Sequence, residues 1–145
     1  GSSMGGWLML LVALRISEKV AALVGIAAAP DFTAWGFSDE QQADLLAGET
    51  VLEENAYGPQ PTPTFPAFWA DGQANLLLGN DIALDCPVRL LHGQQDADVP
   101  WEIALRLANA LRSADVQVTT VKDGDHRLSR EADIALLLRI LAALD

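Results

Sequence analysis

An α/β fold built on a parallel sheet is the class this sequence predicts, and three observations carry that reading. Residues 23–29, Leu-Val-Gly-Ile-Ala-Ala-Ala, are a short apolar run with no alternation, the pattern of a strand covered on both faces. Two further strand-like runs, at 87–91 and 116–121, are each followed by a stretch with helical spacing. The chain also opens on a small-residue turn, Gly1-Ser2-Ser3-Met4-Gly5-Gly6, that runs straight into an apolar helix.

Taken in order, the opening hexapeptide reads as G-x-S-x-G centred on Ser3. In that pattern a strand turns sharply into a helix, and the serine is held in a strained conformation that exposes its hydroxyl. Gly1 and Gly5 are expected to let neighbouring backbone approach, and Gly6 extends the small-residue run. Gly-Ser-Ser ahead of a methionine is also what a cleaved tag leaves behind. The helix that follows and the partner residues downstream favour the turn. Residues 7–14 are apolar nearly all round, as in a helix buried on both sides, and Arg15 puts a positive charge where the helix dipole favours one. The strand that should precede the turn is missing, because the sequence starts at the motif. Pro30 closes the run at 23–29.

Residues 31–80 show no strand pattern, hold seven of the nine aromatic residues and carry Pro59, Pro61, Pro63 and Pro66. Ser38-Asp39-Glu40 can cap a short helix that reaches Leu46 and stops at Gly48, and residues 65–78 can form another. An insertion of this length between two sheet strands is more often functional than accidental. It reads as a helical lid over Ser3, with Phe32, Trp35, Phe37, Tyr57, Phe65, Phe68 and Trp69 available to line an apolar substrate pocket. The alternative for any one ring is that it glues the insertion to the body.

After the strand at 87–91, Pro100 suits the first turn of a helix whose buried stripe is Ile103, Leu107, Ala110 and Leu111. Ser129 is expected to cap the final helix, with Ile134, Leu137, Leu138 and Leu141 facing inward.

Composition narrows the function. The 145 residues are half hydrophobic, enough for a packed core. A net charge of -11 argues against nucleic acid and anionic membrane surfaces as partners. One cysteine, Cys86, makes no internal disulfide and fits a reducing compartment, so a cytoplasmic location in a bacterium is the expectation; beside Pro87 it reads as a small core residue. Two histidines and one cysteine make a structural zinc site improbable. The apolar run at 7–14 is too short to span a membrane and lacks a basic leader.

The chemistry rests on three loops. A serine hydroxyl attacks a carbonyl only if a histidine takes its proton and a carboxylate holds that histidine in the right tautomer. Asp96 lies just past one strand and His126 just past the next, and in a parallel sheet those loops emerge at the edge from which Ser3 projects. Asp98 is a rival acid, better read as a solvated or capping carboxylate, and His92 a rival base, better read as a structural histidine ahead of Asp96. Asp125 reads as loop polarity.

The hexapeptide, His92-Gly-Gln-Gln-Asp96-Ala-Asp-Val-Pro100 and Gly124-Asp-His126-Arg-Leu-Ser129, in that order, resemble the α/β-hydrolase superfamily. Within it the chain is most similar to the group holding the mitochondrial palmitoyl-protein thioesterase and acyl-glucuronide esterase, with their bacterial relatives; Ala29-Pro-Asp-Phe-Thr33 and residues 84–93 share the likeness. The resemblance implies Ser3 as nucleophile, Asp96 as acid, His126 as base and the Met4 N–H as an oxyanion donor, with no metal or other cofactor. It implies a serine hydrolase of acyl esters or thioesters. A prolyl-oligopeptidase-type peptidase, or a non-catalytic α/β binding module, is the alternative. The chain corresponds to the C-terminal part of that fold, strands six to eight with flanking helices and a lid at about 31–80. The five strands before the turn, and with them the second oxyanion donor, are missing. Residues 1–145 alone are therefore expected to be poorly folded and nearly inactive.

Overall fold

Helix α1 (Met4–Arg15) and strand β1 (Leu23–Ile26) open the chain in the computed structural model, which describes residues 1–144. There follow α2 (Phe32–Trp35), α3 (Asp39–Leu46), β2 (Val51–Glu53), β3 (Thr62–Thr64), α4 (Pro66–Ala74), β4 (Val88–Gly93), α5 (Glu102–Ala110), β5 (Val116–Val121) and α6 (Glu131–Ala142). Two units result, one of Gly1–Pro30 with the chain from Leu77 onward, the other Asp31–Leu76.

In the first unit β1, β4 and β5 form a parallel sheet in the order β1-β4-β5. Ile26 pairs with Leu91 and Leu91 with Thr119; β4 and β5 end together at Gly93 and Val121, two residues beyond the last β1 pair at the same edge. Among the described residues no full strand precedes the turn, as expected, but the first residues are held against β1. Ser2 bridges Ile26 in parallel, and Gly1 N donates to Val24 O at 2.8 Å, which makes the first residues a strand stub on the far side of β1. β1 stops at Ile26, short of the expected Ala29, because Ala27 turns to φ 45°.

Burial explains the strand composition. β4 buries Val88, Leu90, Leu91 and His92, so both its faces are covered, as the unalternating pattern requires. Leu10 and Ala13 of α1, Leu23 of β1 and Ala104 and Leu107 of α5 join Val88 and Leu90 in one core. Each fully buried leucine there contributes about 1.5–3 kcal/mol.

Two helices depart from expectation. α1 buries Trp7, Leu10 and Ala13 but leaves Leu8 and Val12 exposed, so it is covered on one side only. α6 leaves Ile134, Leu138 and Leu141 exposed; its buried residue is Asp133. The reason is that helical periodicity marks the face that wants cover, while the cover must come from another element. The cap differs too. Arg130, not Ser129, occupies the N-cap, because the Asp133 carboxylate reaches back to accept the Arg130 N–H at 3.2 Å.

The second unit is not wholly helical. β2 and β3 pair antiparallel, with Leu52 opposite Pro63, which a two-stranded ladder tolerates because one side of each strand needs no partner. Ser38 caps α3, as the sequence indicates, and the structure adds a capping box with Gln41. α4 ends at Ala74, earlier than expected, where Asn75 Nδ2 donates to the Asp71 carbonyl. Phe37, Leu45, Val51 and Trp69 form this unit's own core. No helix among the described residues is long and apolar enough to cross a membrane.

Candidate functional site

Ser3 sits where the strand stub turns into α1, at φ 51°, in the left-handed region that a non-glycine residue adopts only when its surroundings hold it there. They do so by three backbone bonds. Ser3 N donates to Ile26 O at 3.0 Å, and Ser3 O accepts from Gly6 N at 2.9 Å and from Ala29 N at 3.0 Å. Sterics complete the turn. A Cβ on Gly1 would lie 2.4 Å from Gly5 O, and one on Gly6 would lie 2.5 Å from the Ala28 Cβ. Gly5 is different: a Cβ there meets nothing within 4 Å, so the close approach expected of Gly5 belongs to Gly6. Ser3 is the N-cap of α1, yet its side chain makes no capping bond.

Its hydroxyl is used elsewhere. Ser3 Oγ lies 3.1 Å from His126 Nε2, and His126 Nδ1 lies 2.8 Å from Asp96 Oδ2. An ionised carboxylate only accepts, so Nδ1 carries the ring proton and Nε2 is left to accept from the serine hydroxyl. The Asp96 side chain is 1% exposed and that of His126 17% exposed, a gradient from interior to solvent along the line.

Strand ends and loop bonds explain how residues so distant meet. Beyond β4 the chain turns tightly under the loop that follows β5: Gln94 N donates to Val121 O and Gln95 N to Gly124 O. A side chain at Gly93 would collide with the Gly124 carbonyl, so only glycine lets the two loops pass. Asp96 Oδ1 accepts the N–H groups of Asp98 and Val99, both at 2.9 Å, an Asx turn that engages this oxygen and leaves Oδ2 to other donors. Asp125 does the same for the histidine loop, accepting from Arg127 N and Leu128 N; beyond loop polarity, it shapes the segment that carries His126. Arg130 ties that segment to α6 by pairing with both Asp123 and Asp133. Its guanidinium holds both carboxyls below the usual carboxylate range.

The remaining expected residues fall as follows. Met4 is the first residue of α1, where helix geometry leaves its N–H without an intrahelical acceptor. Phe37 and Trp69 are buried in the core of their own unit, the Trp69 indole donating to Thr33 O at 2.9 Å. Tyr57, Phe65 and Phe68 are exposed, and Trp35 is half-buried. Phe32 packs with its ring 6.4 Å from that of Phe37 and 6.0 Å from that of Phe68. Asp98 lies on the surface beside the Asp96 turn, and His92 is buried next to Asp96. Cys86 is half-buried, and burial pushes its thiol pKa up, which makes it a poor nucleophile. Asp96, Asp98 and His126 bring three ligand atoms within 4.8 Å of one another, the spacing a cation would need, but hydrogen bonds already engage Asp96 and His126 there.

With this geometry in view, the relatives are informative. The sequence profile of the prolyl oligopeptidase family matches residues 1–143. The mouse mitochondrial palmitoyl-protein thioesterase ABHD10 is 41% identical over 143 residues, covering 95% of this chain and 48% of the mouse protein. Among solved structures, a protein from Agrobacterium vitis superposes with a TM-score of 0.89 at 37% identity, over 99% of this chain and 59% of its own. Mouse α/β-hydrolase domain-containing protein 10 superposes with a TM-score of 0.88 at 39% identity, over the same shares. The chain spans about half the length of the curated relatives it matches. Those of mouse, rat and human are mitochondrial by name, which overturns the expected cytoplasmic location. By the profile match and the fold it shares with these structures, the chain belongs to the prolyl oligopeptidase family within the α/β-hydrolase superfamily.

Proposed function

We propose that the protein is a serine hydrolase that cleaves acyl esters or thioesters through an acyl-enzyme intermediate. The observation that carries this is the line from Ser3 Oγ through His126 to Asp96, with spacings of 3.1 and 2.8 Å. Ser3 Oγ attacks the acyl carbon while its proton passes to His126 Nε2, and Asp96 stabilises the imidazolium that forms. The bond to the leaving group then breaks as Nε2 returns the proton to it. Water, deprotonated by the same nitrogen, attacks the acyl carbon, releases the acid and restores Ser3. These steps call for no metal or organic cofactor.

The Met4 N–H, at the first position of α1, is assigned as a donor to the developing oxyanion. An acylated substrate is favoured by 41% identity to a protein named palmitoyl-protein thioesterase. The family's own description favours a second reading, a prolyl-oligopeptidase-type peptidase, which uses the same three side chains on an amide.

The test is reaction of the full-length protein with a fluorophosphonate probe, followed by assays on acyl p-nitrophenyl esters, acyl thioesters and proline-containing peptides. One label per chain, lost in Ser3→Ala, with ester or thioester turnover above peptide turnover, is the expected result. Absence of label on folded protein contradicts hydrolysis and favours a binding role.

A further inference from the structure

We propose that His92 is a positioning residue that holds the Asp96 carboxylate for His126; this rests on reading Ser3, His126 and Asp96 as a hydrolytic relay. His92 lies in β4, four residues before Asp96, with its side chain 1% exposed. Its Nε2 is 3.1 Å from Asp96 Oδ2 and 3.1 Å from the Val99 carbonyl. Both are acceptors, so Nε2 carries a proton and points it at the oxygen that also accepts from His126 Nδ1.

Val99 closes the arrangement. Its N–H donates to Asp96 Oδ1 while its carbonyl faces His92 Nε2, so His92, Asp96 and Val99 form a ring of contacts around the carboxylate. Asp96 thereby faces four donors: two backbone N–H groups at Oδ1 and two imidazole N–H groups at Oδ2. Without His92, Oδ2 would keep a single donor in a site closed to water, and the carboxylate could swing about its Cβ–Cγ bond away from His126.

The far nitrogen supplies the second observation. His92 Nδ1 is buried with no hydrogen-bond partner among the described residues. An apolar side chain of similar size would fill the same volume without leaving a polar atom unpaired. A histidine that only filled space would be a poor choice there. One whose Nε2 proton orients a buried carboxylate accounts for a histidine at this position.

The test compares the full-length wild type with His92→Gln, whose amide can reach the Nε2 position, and with His92→Asn and His92→Phe, which cannot supply a donor there. Readouts are kcat and KM on an acyl p-nitrophenyl ester, and the deshielded proton NMR signal of His126 Nδ1. His92→Phe and His92→Asn are expected to lower kcat on the order of tenfold with KM within about twofold, and to shift or broaden that signal. His92→Gln is expected to recover most of both. Should His92→Phe fail to fold, the Gln and Asn pair decides alone: equal kcat and an unmoved signal in the two overturn the proposal. Wild-type protein that takes no fluorophosphonate label, or Ser3→Ala that still takes it, removes the relay itself and the proposal with it. Label on Ser3 with no effect of the His92 variants overturns only the positioning role.

Discussion

Helices α5 and α6 each follow a strand of the same parallel sheet, and each carries an apolar stripe legible in the sequence. Their environments are nevertheless opposite. α5 places Ile103 and Leu107 in the core, Leu107 with no exposed surface, and Leu111 follows them in. α6 leaves Ile134, Leu138 and Leu141 in solvent, with Leu138 59% exposed. What anchors α6 at its start is polar: Arg130 pairs with Asp123 in the histidine loop and with the buried Asp133 of the first turn. One helix is thus held by apolar area and the other by charge and capping, so the two should answer differently to truncation and to pH.

The sharpest contrast is truncation. Leu107→Ala is expected to destabilise the fold by about 2–5 kcal/mol, since the cavity forms in a closed core. Leu138→Ala is expected to cost less than about 1 kcal/mol, as exposed positions do. Paired denaturation curves check the difference, and equal losses would break the comparison.

A smaller effect is expected at the polar clamp. Arg130 lowers the pKa of Asp133, so the carboxylate stabilises the native state above the unfolded value of about 3.9, and that contribution fades as pH falls through the lower, folded value. Asp133→Asn should therefore melt below wild type at pH 7, with the gap closing in acid. A gap constant from neutral pH down to about pH 2 would contradict the sign. The smallest effect is expected at Arg112 and Asp85, paired at 2.6 Å on the surface. Arg112→Met should leave the melting temperature nearly unchanged, and less sensitive to salt than the wild type.

The contrast also shows how far sequence reasoning reaches. The strand runs, the cap at Ser38 and the convergence of Ser3, Asp96 and His126 were legible, because each follows from local pattern plus the rule that parallel strands share an exit edge. The β2–β3 hairpin was not: Pro63 reads as a strand breaker, and only pairing with Leu52 at an edge makes it admissible. The cap at Arg130 was hidden because the acceptor, Asp133, comes from inside the helix, so a search for a capping side chain settles on Ser129. Gly6 was underrated against Gly5 because motif spacing does not say that Ala28 will pack against it. His92 and Asp125 shared one difficulty. Each sits beside a more conspicuous residue, and its role appears only when the partners' coordinates are known.

The central claim is that Ser3 carries the acyl group during turnover. Mixing the full-length protein with an acyl p-nitrophenyl ester, quenching in acid within the first turnover and digesting with trypsin would place that group on a peptide. The account predicts an acyl adduct on the peptide ending at Arg15, which contains Ser3, and its disappearance in Ser3→Ala. Turnover that proceeds with the adduct on another peptide, or at an undiminished rate in Ser3→Ala, would contradict it.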